Sequence, residues 1–133
     1  PMIFLRDQGL AAHPITAGRK PSEQVNRVAT FTGQGFKAPE GAEPLLEFGD
    51  TTQMVIMKPG TRNEVVERTS AKGWLQGAAL EVGEGRVAIF GEASMFSAQL
   101  AGPDKRPMGM NSLLAPDNQQ FLLNLMHWLS HRL

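Results

Sequence analysis

Val87-Ala88-Ile89-Phe90-Gly91-Glu92-Ala93-Ser94 sets four apolar residues ahead of a short polar loop, and an apolar-rich run without glycine or proline follows from Asp117 to Leu133. A strand, a polar loop and then a helix is the order in which open α/β folds bring binding groups to the carboxyl edge of a sheet. The expected class is therefore α/β, a small mixed β-sheet with a long C-terminal helix. Glu92 and Ser94, at the end of the strand, are the first candidate site residues.

Working outward, Ala78–Val82 alternates in polarity and meets Arg86–Phe90 through Gly83-Glu84-Gly85, a connection of the length used by antiparallel hairpins. The second of these strands is apolar on both faces, which places it centrally, covered on both sides. Arg27–Phe31 reads as another strand. Its continuation, Thr32-Gly33-Gln34-Gly35-Phe36, suits either a tight turn or a bend where backbone must come close to something. Leu45–Phe48 and Met54–Met57 are short strands between prolines and glycines, and the polar run Asn63–Ala71 reads as an exposed loop or a short helix. Residues 6–24 carry Pro14, Gly18 and Pro21 and read as loop, with a turn of helix starting near Pro21 or Ser22 and covering Glu23–Asn26.

The 133 residues are 41% hydrophobic and 20% charged, the composition of one globular α/β domain over 1–133. A chain of this length buries enough surface to fold without metal or disulfides. It has no cysteine, which removes thiol nucleophiles and thiolate metal sites. Thirteen basic residues balance thirteen acidic ones without a basic stripe, which argues against nucleic acid as a partner. Met2–Leu5 is too short for a membrane span or a signal-peptide core, so no membrane insertion of this segment is expected and the compartment stays open.

Pro116 precedes the last helix, and Asp117 or Asn118 is placed to cap it. At 100° per residue Phe121, Leu122, Leu125, Met126, Trp128, Leu129 and Leu133 span about 160°, wider than one sheet contact requires. Either other loops cover the excess, or Phe121, Leu125, Trp128 and Leu129 form a subunit interface.

Several strings carry a family resemblance: His13-Pro14-Ile15-Thr16, Thr30-Phe31-Thr32-Gly33-Gln34, Gly73-Trp74-Leu75-Gln76-Gly77, Gly91–Gln99, Met108-Gly109-Met110-Asn111 and Asn118–Asn124. Over residues 9–36 and 73–133 the chain resembles the C-terminal half of uncharacterised bacterial proteins with a glutamine-amidotransferase-like domain. The resemblance implies a partial flavodoxin-like sheet whose first strands and helices precede this part. It also implies an unpaired edge, and hence a homo-oligomer, a dimer or larger, because proteins cover such edges. Glutaminases of that superfamily use a Cys on a strand-to-helix elbow and a late His-x-Glu pair. Without a Cys, and with Gly-Glu-Ala-Ser after Phe90, the chain is not expected to hydrolyse glutamine.

No catalytic set, cofactor or metal site is expected. Glu92 and Ser94 lack a positioned base, and the G-x-S-x-G elbow is missing; a hydrolase built on Glu92 is the weakest of the readings. His127 and His131 have the four-residue spacing of a helical metal pair but no third ligand, and share a polar face with Asn124. Gln99, Asn111, Asn118 and Gln119 suit hydrogen bonding to a small, neutral polar ligand, and His13 and Arg19 from the first loop are placed to reach a ligand. Each has a plainer use, in turns, on the surface or, for Asn118, as a helix cap. Met95, Phe96, Met108 and Met110 read as core fillers. The expected function is non-catalytic binding or interaction, with an oligomeric scaffold as the alternative.

Overall fold

The computed structural model describes residues 1–61 and 63–133. Six strands form one mixed sheet: β1 (Met2–Arg6), β2 (Gly9–Leu10), β3 (Arg27–Thr30), β4 (Glu43–Glu47), β7 (Leu75–Val82) and β8 (Gly85–Phe90), in the order β3-β1-β2-β4-β7-β8. The β1–β2 contact is parallel and the others are antiparallel. Two hairpins stand apart from this sheet, β5 (Gln53–Met57) with β6 (Val65–Ser70) and β9 (Ala98–Ala101) with β10 (Arg106–Gly109). Helix α1 (Pro14–Ala17) is a single turn, 3-10 turns lie at Pro21–Glu23 and Ser94–Phe96, and α2 (Asn118–Leu129) is the only helix of length among the described residues. It is not long and apolar enough to cross a membrane.

Helix α2 touches both β3 and β8, the two ends of the sheet, so the sheet curls around it. Its first half is held by aromatic contacts. Phe121 lies 5.9 Å from Phe90 and 6.0 Å from Phe96, and Phe90 meets Phe96 edge-on at 5.1 Å. Its second half is held at Trp128, which takes the edge of His13 at 5.5 Å and the Arg86 guanidinium at 5.0 Å. Arg86 also donates to the carbonyls of Trp128 (2.7 Å) and Leu133 (3.1 Å), a cation at the negative end of the helix. Ile15, Val25, Val28, Leu45, Leu46 and Met95 complete the buried centre.

The β7–β8 hairpin forms as the sequence suggests, with a two-residue turn and Gly83 at φ 58° in its first position. Its place in the sheet differs from expectation. β8 is an edge strand: Ala88 and Phe90 pack toward α2, whereas Val87 and Ile89 are each 43% exposed on the opposite face. A strand apolar on both faces reports what it is able to bury, and here this chain supplies a cover for one face only. Val65–Ser70 is a strand, because its valines and Thr69 find a cross-strand partner in β5 that local polarity does not announce. The turn expected to start at Pro21 or Ser22 forms as the 3-10 turn Pro21–Glu23, short of Asn26, and a second turn, α1, precedes it where Pro14 supplies a preset φ and His13 a cap.

Of the four α2 residues expected at a subunit contact, Phe121, Leu125 and Trp128 are buried by the chain itself, and Leu129 is half-buried. The centre of the apolar arc is filled from both ends of the curled sheet, while Met126 at its margin stays 56% exposed. Asn124 is also fully buried, not on a polar face: its Nδ2 donates to the carbonyls of Ile15 and Glu23, each at 2.8 Å. His131 lies past the end of α2 with φ 56°, so the helical pair with His127 does not form.

Candidate functional site

The loop after β8 is built around Glu92. Its side chain folds back under the Ser94–Phe96 turn, where Oε1 accepts from the Ser94 amide (2.9 Å) and Oε2 from the Met95 amide (2.8 Å). The Thr32 hydroxyl reaches Oε1 at 3.4 Å and the Ser94 hydroxyl at 3.5 Å. Glu92 is 4% exposed and both carboxylate oxygens carry backbone bonds, so it orders the loop as a helix cap would. Ser94 has no His or Lys beside it among the described contacts.

The Thr32–Gly35 segment crosses this loop at van der Waals limits. The Gln34 amide donates to the Gly91 carbonyl at 3.0 Å, and a Cβ on Gly91 would fall onto the Gln34 carbonyl oxygen. A Cβ on Gly33, which has φ 108°, would fall onto the Gly91 oxygen and lie 2.8 Å from the Glu92 Cβ. Of the two glycines expected to mark a bend, Gly33 thus serves a chain crossing, whereas a Cβ on Gly35 would strike the Phe48 ring. Gln76 ties the same segment to the sheet, accepting from the Thr30 hydroxyl (2.8 Å) and donating to the Thr32 carbonyl (3.1 Å).

Beside the crossing lies an open groove of about 610 Å³ between Phe31–Gly35 and the edge of β5, floored by Phe48 and Gln76. Among the described residues no charged side chain lines it. A second groove of about 520 Å³, between the β1–β2 turn and Gly49–Thr52, carries Asp7, Glu47, Asp50 and Lys72. The uncharged groove was not anticipated as a site; the Gly33-Gln34-Gly35 pattern was its only signal, because its other wall, β5, is remote in sequence.

The expected ligand-binding residues divide. Glu92 and Ser94 share the loop just described. Gln99 and Asn111 sit together on the β9–β10 hairpin, where Asn111 Nδ2 donates to the Gln99 carbonyl at 3.1 Å, so Asn111 closes the hairpin. Asn118 is buried between β3 and the Ser94–Phe96 turn and wholly engaged: Oδ1 accepts from the Ala29 amide (2.9 Å) while Nδ2 donates to the carbonyls of Ala29 (2.8 Å) and Met95 (3.1 Å). Together with Asp117, whose Oδ2 accepts from the amides of Asn26 (2.8 Å) and Arg27 (3.0 Å), it covers the outer edge of β3. Neither residue makes a side-chain cap on α2.

His13 and Arg19 belong elsewhere. His13 contacts Trp128, ten residues along α2 from Asn118, or about 15 Å at the helical rise. Its Nδ1 accepts from the Ile15 amide at 3.1 Å, capping α1. Burial pushes its pKa below the ordinary value, against the pull of Glu43 at 3.9 Å. The neutral ring is the one that fits, so its contribution to stability is present at neutral pH and is lost as the pH falls through the lowered value.

Arg19 forks onto Glu23, with Nη2 to Oε1 at 2.7 Å, Nε to Oε2 at 3.0 Å and its own amide to Oε2 at 2.9 Å. The guanidinium bonds, followed by the amide bond, hold the Glu23 pKa down at about 2 against an ordinary 4.5. A depressed acid stabilises the fold above its unfolded pKa and stops doing so as the pH falls toward the folded one. Thermal melts from pH 7 down to pH 2 are therefore expected to show Glu23→Gln less stable than the parent at pH 7, with the gap closing between about pH 5 and 2. A gap that does not change with pH would mean the pair adds nothing electrostatic.

Among the described residues no three His, Asp or Glu side chains gather as a metal site. Comparison with protein-family models, curated proteins and solved structures finds no match.

Proposed function

We propose that this chain is a non-catalytic binding and interaction domain that associates with its own copies, a variant of the flavodoxin-like, glutamine-amidotransferase-like plan that takes a small, neutral polar ligand in the uncharged groove. The observation that carries this reading is the state of Glu92. Glu92 is 4% exposed and both its oxygens accept from the amides of Ser94 and Met95, so the carboxylate is turned into the loop it orders and away from a substrate or bulk water. With no Cys in the chain and His13 committed to a cap, no nucleophile and base converge on that loop among the described residues.

The groove supports the ligand half of the proposal. Its walls offer the hydroxyls of Thr32 and Thr52 and the amides of Gln34 and Gln53 beside the apolar surfaces of Phe31, Phe48 and Met54. That mixture suits a neutral molecule with hydrogen-bonding groups on one side.

A thermal-shift screen of neutral sugars and amides tests it. A ligand present at a hundred times its dissociation constant adds about 2.7 kcal/mol of stability. Gln34→Ala is expected to remove that rise and leave the unliganded melting temperature within a degree or two. Glu92→Gln should cost about 1–3 kcal/mol, because its amide group would face a buried N–H, and no activity should change with it. Turnover of any substrate that disappears in Glu92→Gln at unchanged stability would overturn the non-catalytic reading.

A further inference from the structure

We infer that β8 is the self-association surface, and that two copies of the chain join edge to edge through antiparallel β8 strands related by a two-fold axis at Ala88. The inference rests on the self-association proposed above and names its surface and register. The strand lies at the end of the sheet, and its pairing with β7 runs from Gly85 to Phe90 without a bulge. Bulges and prolines are among the usual means of blunting an edge, and β8 has neither; its one charge, Arg86 near the start of the strand, is turned inward onto the end of α2. The other end of the sheet is treated differently: Asp117 and Asn118 occupy the edge of β3.

The hydrogen-bond phase of β8 decides which residues face outward. The Gly91 amide donates to the Gln76 carbonyl, so Gly91, Ile89, Val87 and Gly85 turn their backbone groups toward β7. Those of Arg86, Ala88 and Phe90 point away from it, and among the described residues they take no partner. A two-fold axis perpendicular to a sheet keeps each residue on its own face, so a residue must lie opposite its own copy at the centre. Centred on Ala88, the register sets Ala88 against Ala88 and Arg86 against Phe90 of the second copy. These three outward-facing residues then exchange hydrogen bonds with outward-facing residues.

The side chains agree with the same register. The smallest of them, Ala88, lies on the axis. Val87 faces Ile89 of the second copy at the closer, non-hydrogen-bonded positions, twice over, on the face where both are 43% exposed and where Val82 stands 58% exposed on β7. Arg86 is the strand's one charged residue. Placed opposite Phe90, it lies four residue rows, or about 13 Å, from its own copy, beyond a Debye length at physiological salt. A register centred on Val87 would also oppose outward-facing groups, Arg86 against Ala88, but it would leave Phe90 opposite Glu84 in the hairpin turn and so pair less of the strand.

Light scattering across a dilution series, on the parent and two double variants, tests the inference. The parent is expected to be a dimer. Val87→Lys with Ile89→Lys sets like charges face to face and should weaken the dimer roughly 100-fold or more. Val87→Lys with Ile89→Glu sets opposite charges face to face only if 87 lies across from 89, and should keep the dimer. Both pairs of substitutions fall on exposed positions, and circular dichroism melts confirm that the fold survives. A dimer indifferent to the double lysine variant would overturn the β8 interface and leave self-association through another surface. A parent that is monomeric at every concentration would overturn both. Loss of the dimer in both variants would overturn the register.

Discussion

Asn118→Ala is expected to cost about 3–5 kcal/mol and to lower the melting temperature by roughly 10–20 °C, a large part of a typical domain's stability. Asn118 and Ala29 are both fully buried, and alanine would leave the Ala29 amide, the Ala29 carbonyl and the Met95 carbonyl without partners. Each buried orphan costs about 1–3 kcal/mol, and water entering the vacated space returns part of it. Asn118→Asp separates this role from helix capping. A capping asparagine tolerates aspartate and loses about 1 kcal/mol on change to alanine. Here aspartate keeps the acceptor for the Ala29 amide but turns its second oxygen onto two carbonyl oxygens, so it should be no better than alanine. Urea unfolding of the two variants decides: a tolerated aspartate would reduce Asn118 to a cap.

Asn118 also marks where reading a sequence stops. An asparagine after a proline and before an apolar run is what a helix start looks like, and α2 does start there. What the side chain bonds to is set by β3, almost ninety residues away along the chain, and no local pattern encodes that distance. Asn124 is the same case, since a polar residue between apolar ones reads as solvent-facing until Ile15 and Glu23 bring carbonyls to it. Local chemistry was sufficient for the β7–β8 hairpin, for the strands at Arg27, Leu45 and Met54, and for α2, where turn residues and periodicity act within a few positions. It was insufficient for β6 and for the edge position of β8, which depend on which neighbours the rest of the chain provides.

The candidate site divides along the same line. Glu92 and Ser94 were legible as a strand-end loop because strand, loop and turn are contiguous. His13 and Arg19 stand apart from that loop, one at the far end of α2 and the other tied to Glu23. The groove is formed by Phe31–Gly35 and β5, which meet only in the folded chain.

Gly91→Ala is expected to destabilise the fold by about 2–4 kcal/mol, at and beyond the usual range for overpacking, because what a methyl group would strike is backbone. Its Cβ would fall onto the Gln34 carbonyl oxygen, with the Gln34 carbonyl carbon 3.1 Å away. Gly91 is not in the left-handed region, so alanine meets no backbone strain there and the substitution isolates the steric term. Gly33→Ala, at φ 108°, adds strain to a clash with the Gly91 oxygen and should be worse. The segment that has to move in either variant carries Gln34 and Gly35, one wall of the uncharged groove, while Glu92 on the other side is anchored by its own amide bonds. Relief of the clash therefore displaces the groove wall, and any ligand-induced rise in melting temperature should fall along with stability. A Gly91→Ala variant that unfolds in urea within about 0.5 kcal/mol of the parent would mean that the crossing is loose. If stability falls but the ligand response stays intact, the ligand does not sit against Gln34 and Gly35, and the site has to be sought at the charged groove by Asp7 and Lys72.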